Sequence, residues 1–229
     1  MTFIGYYQRP TLMGETLVFM FEDDLWLRDL SSPFSHAYRL TANPGRSSDP
    51  QLSPDGQHLA FTSLDEGTPE IYVTRLDEME PQRLTYLGDD TRCVGWTRDG
   101  QNILFTTCAG APFNRIFQLG QVSVGGGPCE GLNLGPAAHI SFAQKKGQVI
   151  GRHTWDPARW KRYRGGTAGQ LWIDREDNGE FVPLLELDGN LTRPLWVGSR
   201  IYFGSDHEGI CNLYSCTPKG KDLRRHTDH

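Results

Sequence analysis

The sequence predicts an all-β fold built from repeated four-stranded units, and three observations carry that expectation. First, SPDGQHLAF at 53–61 returns 44 residues later as TRDGQNILF at 97–105, with Leu59 matched by Ile103 and Phe61 by Phe105. The same frame fits Gly14 to Phe19 and Gly198 to Phe203, with a worn copy at Gly147 to Ile150. Second, Arg39-Leu40-Thr41 and Arg83-Leu84-Thr85 are also 44 apart, and Arg225-His226-Thr227 is a looser copy. Two independent markers on one period are the mark of an internal repeat. Third, Leu25 to Leu27, Ile71 to Val73, Leu171 to Ile173 and Leu213-Tyr214 are short apolar or aromatic runs bounded by polar and glycine turns, and no window carries a sustained helical stripe. Four strands in 40 to 50 residues is the pattern of a β-propeller blade. Five units are visible within one domain, roughly 1–45, 46–88, 89–135, 136–189 and 190–229.

The second unit shows how each strand is placed. Strands are expected at about Pro50 to Leu52, His58 to Ser63, Glu70 to Leu76 and Gln82 to Thr85. Ser53-Pro54-Asp55-Gly56 separates the first two, with Pro where φ near −65° is wanted and Gly where φ turns positive. Trp26, Trp96, Trp172, Trp196, Phe61, Phe105 and Phe203 recur at equivalent or nearby positions, so they are expected to pack between sheets.

Composition narrows the function. The chain of 229 residues carries 26 Gly and 14 Pro, an excess that fits frequent turning. Its 23 basic and 28 acidic residues leave a net charge of −5 with both signs interspersed, which disfavours wholesale binding to nucleic acid or an anionic membrane. Five cysteines, at 93, 108, 129, 211 and 216, form neither a disulfide framework nor a metal ladder, and reduced thiols are expected. Met1 to Pro10 lacks the pattern of a secretory signal and no apolar stretch approaches 18 residues, so a cytoplasmic protein is expected.

A search for chemistry returns no catalytic residue, metal site or cofactor. No G-x-S-x-G elbow or phosphate-binding glycine loop is present, and Gly125-Gly126-Gly127-Pro128 reads as a loop. Ser205-Asp206-His207-Glu208 holds the letters of a triad, but neighbours in sequence splay apart, so a solvated turn is expected. His226 and His229 sit too near the end to offer a fixed frame.

Two groups remain as binding candidates. Aligned first strands place Ser48, Arg92, His139 and about Thr192 at equivalent inner positions, with Arg193 beside the last. Arg92, His139 and Arg193 are therefore candidates to line a channel, although a hydrogen-bonded structural role is the alternative for His139. The second group is basic: Arg152, Arg159, Lys161, Arg162 and Arg164, with Asp156 as the one acid, interleaved with Trp155, Trp160 and Tyr163. It fits inter-domain contacts, guidance of a peptide carboxylate through Arg forks, or nucleic acid; the overall charge argues against nucleic acid as a partner.

Several motifs are similar to one family. They are Tyr6 to Leu12, Asp24-Leu25-Trp26, the SPDG turn with Leu59-Ala60-Phe61, Leu132 to Ile140, Val149 to Arg152, and Arg159 to Gly169 leading into Leu171-Trp172-Ile173. Together they resemble the amino-terminal six-bladed propeller of tricorn protease, with the arginine-rich run as the most specific element. The resemblance implies a TolB-like ring of which about five blades are present. It implies a non-catalytic subunit of a cytosolic serine peptidase complex that degrades oligopeptides, with the propeller as conduit or assembly platform. The catalytic groups of that family lie downstream of anything aligned here, so none is carried over. The implied partners are oligopeptides and a carboxy-terminal subunit holding the missing blade and the catalytic core. The family's paired arginines for substrate carboxylates have no placement, because Gly88 to Arg92 offers one arginine and two acids. The alternatives are a free-standing TolB-like interaction module or a truncated remnant.

Overall fold

A computed structural model describes residues 6–78, 80–113, 115–153 and 165–229. It forms a β-propeller whose described residues contain strands and turns and no helix. Five sheets each take four consecutive strands. The first holds β1 (Tyr7–Met13), β2 (Thr16–Phe21), β3 (Asp24–Asp29) and β4 (Tyr38–Arg39). The second holds β5 (Ser47–Leu52), β6 (His58–Ser63), β7 (Glu70–Arg75) and β8 (Gln82–Arg83). The third holds β9 (Thr91–Trp96), β10 (Asn102–Thr107), β11 (Gln118–Ser123) and β12 (Glu130–Pro136). The fourth holds β13 (His139–Phe142), β14 (Gln148–Arg152), β15 (Gln170–Asp174) and β16 (Val182–Pro183). The fifth holds β17 (Leu191–Val197), β18 (Arg200–Ser205), β19 (Asn212–Cys216) and β20 (Arg224–Arg225). Strands neighbouring in sequence are neighbours in each sheet. The expected strands of the second unit are present, with the first beginning earlier at Ser47 and the last ending at Arg83.

The repeat markers have physical causes. All five anchoring glycines, at 14, 56, 100, 147 and 198, adopt positive φ between +55° and +109°, a region that costs a side-chain-bearing residue about 1–2 kcal/mol. Around Gly56, Ser53 Oγ accepts from the His58 amide at 2.9 Å, and Asp55 Oδ1 accepts from the Gln57 amide at 3.0 Å. Thr97 and Asp99 repeat this pattern around Gly100, with 3.0 Å to the Asn102 amide and 3.1 Å to the Gln101 amide.

The Arg-x-Thr marker is a clamp on the outermost strand. In the second sheet Thr85 Oγ1 accepts from the Ile71 amide at 2.8 Å and donates to buried Glu70, while Arg83 Nε donates to the Thr85 carbonyl at 2.8 Å. Thr41 does the same with the Leu25 amide and Asp24, both at 2.9 Å, with Arg39 on its carbonyl. In the fifth sheet Thr227 Oγ1 accepts from the Leu213 amide at 2.9 Å and donates to Asn212 at 2.8 Å, with Arg225 on its carbonyl.

The chain divides into two compact units, 1–114 with 120–132, and 115–119 with 133–229. The first unit contains two cores. In one, Val18, Met20, Leu25 and Leu27 of the first sheet pack on Leu52, Leu59, Phe61 and Tyr72 of the second. In the other, Ala60, Ile71 and Val73 pack on Cys93, Trp96, Ile103 and Phe105 of the third. In the second unit, Val149, Leu171 and Ile173 pack on Leu191, Ile201, Phe203 and Tyr214. Phe61, Phe105 and Phe203 are fully buried as expected. Trp26 and Trp172 differ from the expectation: each is half-buried, because strand alternation puts it on the opposite sheet face from the buried leucines beside it.

Candidate functional site

The first strand of a blade is set by a feature that repeats with the sheet. In β1, Arg9 and Pro10 together oppose the single residue Phe19. In β5, Asp49 and Pro50 oppose Phe61, and in β17, Arg193 and Pro194 oppose Phe203. Each is a β-bulge whose polar residue has positive φ: 49° at Arg9, 51° at Asp49 and 49° at Arg193. A bulge re-aims the side chain it carries, so three polar residues leave the regular alternation at one place in the repeat. Sequence reading found Arg193 but missed Arg9 and Asp49. The signal was a charged residue followed by proline, recurring opposite the phenylalanine of the repeat.

In the first unit these residues form a charged cluster. Arg9 is ion-paired with Asp49, whose carboxylate is buried and also accepts from Ser48 Oγ at 3.1 Å. Arg92, on β9, places its fork on Asp90 at 2.7 and 2.9 Å. Burial works against the Arg92 charge, but the bonds to Asp90 and the charges of Asp90 and Asp49 outweigh it and hold the guanidinium above its ordinary value. Cys108 is pushed up to about 11 by burial and by the charges of Asp89 and Asp90, so it is a neutral thiol at physiological pH.

In the second unit His139 begins β13, and Gly151 lies opposite it on β14. A Cβ at Gly151 would stand 3.2 Å from the Pro194 ring and 3.3 Å from His139 Nδ1, so the imidazole and the β17 bulge approach one another across a glycine. Arg193 is exposed and Thr192 buried beside it. Arg152 ends β14 and donates to the carbonyls of Pro136 at 3.2 Å and Leu134 at 3.1 Å, with its guanidinium 4.9 Å from the Trp172 ring. Burial lowers its affinity for a proton, and His153 is lowered by burial and by the Arg152 charge. Arg159, Lys161, Arg162 and Arg164 lie outside the described residues.

The triad-like letters do not make a triad. Ser205 ends β18 and is buried; its hydroxyl shares a 2.9 Å bond with His207 Nδ1 and accepts from the His207 amide at 3.3 Å, a local turn. Asp206, also buried, accepts from the Asn190 amide at 2.7 Å. The turn is therefore a buried tie and not the solvated one expected, because Asp206 is needed to fix the chain entering β17. His226 Nε2 shares a 2.7 Å bond with Ser215 Oγ. Paired charges on first strands suit the binding of a polar chain; the buried serine suits no attack on one.

Comparison with known proteins agrees with this description. The model of the tricorn protease N-terminal beta propeller domain matches residues 4–229. Tricorn protease homolog 1 of Streptomyces coelicolor is 42% identical over 225 residues, covering 97% of this chain and 21% of the relative. The crystal structure of the tricorn protease superposes with a TM-score of 0.86 at 34% identity, over 98% of this chain and 22% of that one. The chain thus spans about a fifth of the length of these relatives. In Sulfurisphaera tokodaii the similarity falls on two shorter proteins. One, named as a tricorn-like protease N-terminal subunit, is 32% identical over 74% of this chain and 86% of its own length. The other, named as the C-terminal subunit, is 52% identical over 48 residues, 21% of this chain and 6% of its own length. A propeller of repeated four-stranded sheets, with the family's model matching from residue 4 to the end, belongs to the tricorn protease N-terminal β-propeller family.

Proposed function

We propose that this chain is the non-catalytic propeller portion of a tricorn-type peptidase that degrades oligopeptides in the cytosol, working with a carboxy-terminal portion that carries the bond-breaking groups. The observation that supports this most directly is the match over 86% of a protein named as a tricorn-like N-terminal subunit. The chemistry of the chain is consistent with the role. Its described serine and histidine pairs are engaged in turns and sheet ties, whereas its first strands carry paired arginines and carboxylates suited to holding polar peptide backbone and termini.

In this reading Arg92, His139 and Arg193 border the passage that a propeller encloses, and the basic segment with Arg159, Lys161, Arg162 and Arg164 meets peptide or the partner portion. The test is co-expression with the remainder of Tricorn protease homolog 1 that lies outside the matched segment. The expected result is a co-purifying complex that hydrolyses oligopeptides, with no hydrolysis by this chain alone. Absence of any complex overturns the proposal. Within an active complex, Arg92→Ala with Arg193→Ala should raise KM for acidic-ended peptides several-fold; unchanged kinetics reject the guiding role.

A further inference from the structure

The first sheet carries an apolar groove of about 800 Å³ lined by Tyr7, Phe19, Phe21, Trp26, Phe34 and His36. Tyr7 packs edge-on to Phe19 at 5.3 Å and lies 5.4 Å from Phe21, and Phe21 meets Trp26 at 6.1 Å. Phe34 is 86% exposed at its rim. Trp26 Nε1 is buried and makes no hydrogen bond among the described residues. An aromatic surface of this size with a silent donor at its floor marks an interaction site.

The repeat says what covers such a face. Phe19 pairs across strands with Trp26, as Phe61 pairs with Tyr72 and Phe203 with Tyr214. The Phe61 and Tyr72 face lies under Val18, Met20, Leu25 and Leu27 of the preceding sheet. The Phe203 and Tyr214 face lies under Val149, Leu171 and Ile173 of its own preceding sheet. The indole of Trp96 reaches back to such a neighbour, donating to the Gln51 carbonyl on β5 at 2.9 Å. β1 to β4 already complete the first sheet, so its neighbour is not required to lend or borrow a strand.

We infer that the Phe19 and Trp26 groove is the seat of one further four-stranded sheet. That sheet belongs to the carboxy-terminal portion, presents alternating aliphatic residues, and offers an acceptor to Trp26 Nε1. This rests on the function proposed above and names the face through which the two portions meet. The relatives supply the occupant, since about four-fifths of their length lies beyond the segment matched here.

The experiment mixes the full chain with the remainder of Tricorn protease homolog 1 and follows hydrogen exchange, affinity and size. The expected result is a complex in which β1 to β3 gain protection, with Trp26→Ala and Phe34→Asp each weakening association at least tenfold. Circular dichroism checks the fold of Trp26→Ala, and Phe34, being on an exposed loop, serves as the variant that leaves the sheet intact. A complex that forms with both variants unimpaired, or with protection confined elsewhere, overturns this inference and leaves the proposed function standing. Self-association through the groove, abolished by Phe34→Asp, assigns it to a second copy and likewise overturns the inference. No complex at all overturns both.

Discussion

The second and fourth sheets share strand order and antiparallel pairing, yet they are held by different groups. In the second, the first strand bulges at Asp49 and Pro50, and the outer strand is clamped by Arg83, Thr85 and Glu70. In the fourth, β13 pairs with β14 without a register shift, and Pro183 stands opposite Trp172 where Arg83 stands opposite Tyr72. Its polar bonds run elsewhere: Arg152 holds the carbonyls of Leu134 and Pro136. A blade therefore needs neither bulge nor clamp to form. Where the repeat lapses, a sheet is free to direct its polar groups outward, and that is also where the basic segment departs from the chain.

The contrast breaks most readily at Glu70. It is fully buried and accepts from Thr85 and from the Gly88 amide at 2.8 Å, so Glu70→Ala should cost about 3 kcal/mol in urea unfolding by stranding those donors beside Arg83. A loss below about 1 kcal/mol would show that the clamp is decoration. Thr85→Val keeps the shape and strands the Ile71 amide, with an expected cost of about 1–2 kcal/mol in the same measurement. Arg152→Lys in the fourth sheet should cost about 1 kcal/mol, since a lysine cannot span two carbonyls and stack on Trp172 together; equality with Thr85→Val would erase the distinction between the sheets.

The smallest effect is in pH. Burial tends to raise the Asp174 carboxyl, but bonds from the Gly179 amide, Gln148 and the Glu176 and Asn178 amides outweigh it and hold it below its ordinary 3.8. Its folded affinity for a proton is thus weaker than its unfolded one. The stabilisation is present above about pH 4 and fades as pH falls through the depressed value. Asp174→Asn should flatten the fall in the urea midpoint between pH 5 and pH 2; an unchanged slope would remove Asp174 from the account.

Much of the architecture was legible in the sequence because the devices that make a blade are local. Gly56 and Gly100 are required by turns, and Thr41 and Thr85 by the clamp, so both recur with the sheet and declare its period. The bulges were harder to read, since Arg9, Asp49 and Arg193 share a backbone state and not an identity, and only the following proline is constant. Trp26 shows a different limit: alternation tells which face of a strand it occupies, but what lies over that face depends on distant residues. Ser205 and Asp206 were misread as solvated because their partners, His207 and Asn190, meet them only through folding.

Each sheet draws its four strands from one uninterrupted stretch of chain. Cutting the polypeptide at 40–46, 84–90 or 184–190 therefore severs no ladder between strands. Encoding such a protein is correspondingly tolerant: a gene can be divided between blades and each product still contains whole sheets. Relatives named as one tricorn protease, and others named as its N- and C-terminal subunits, are two genetic arrangements that this strand order permits equally.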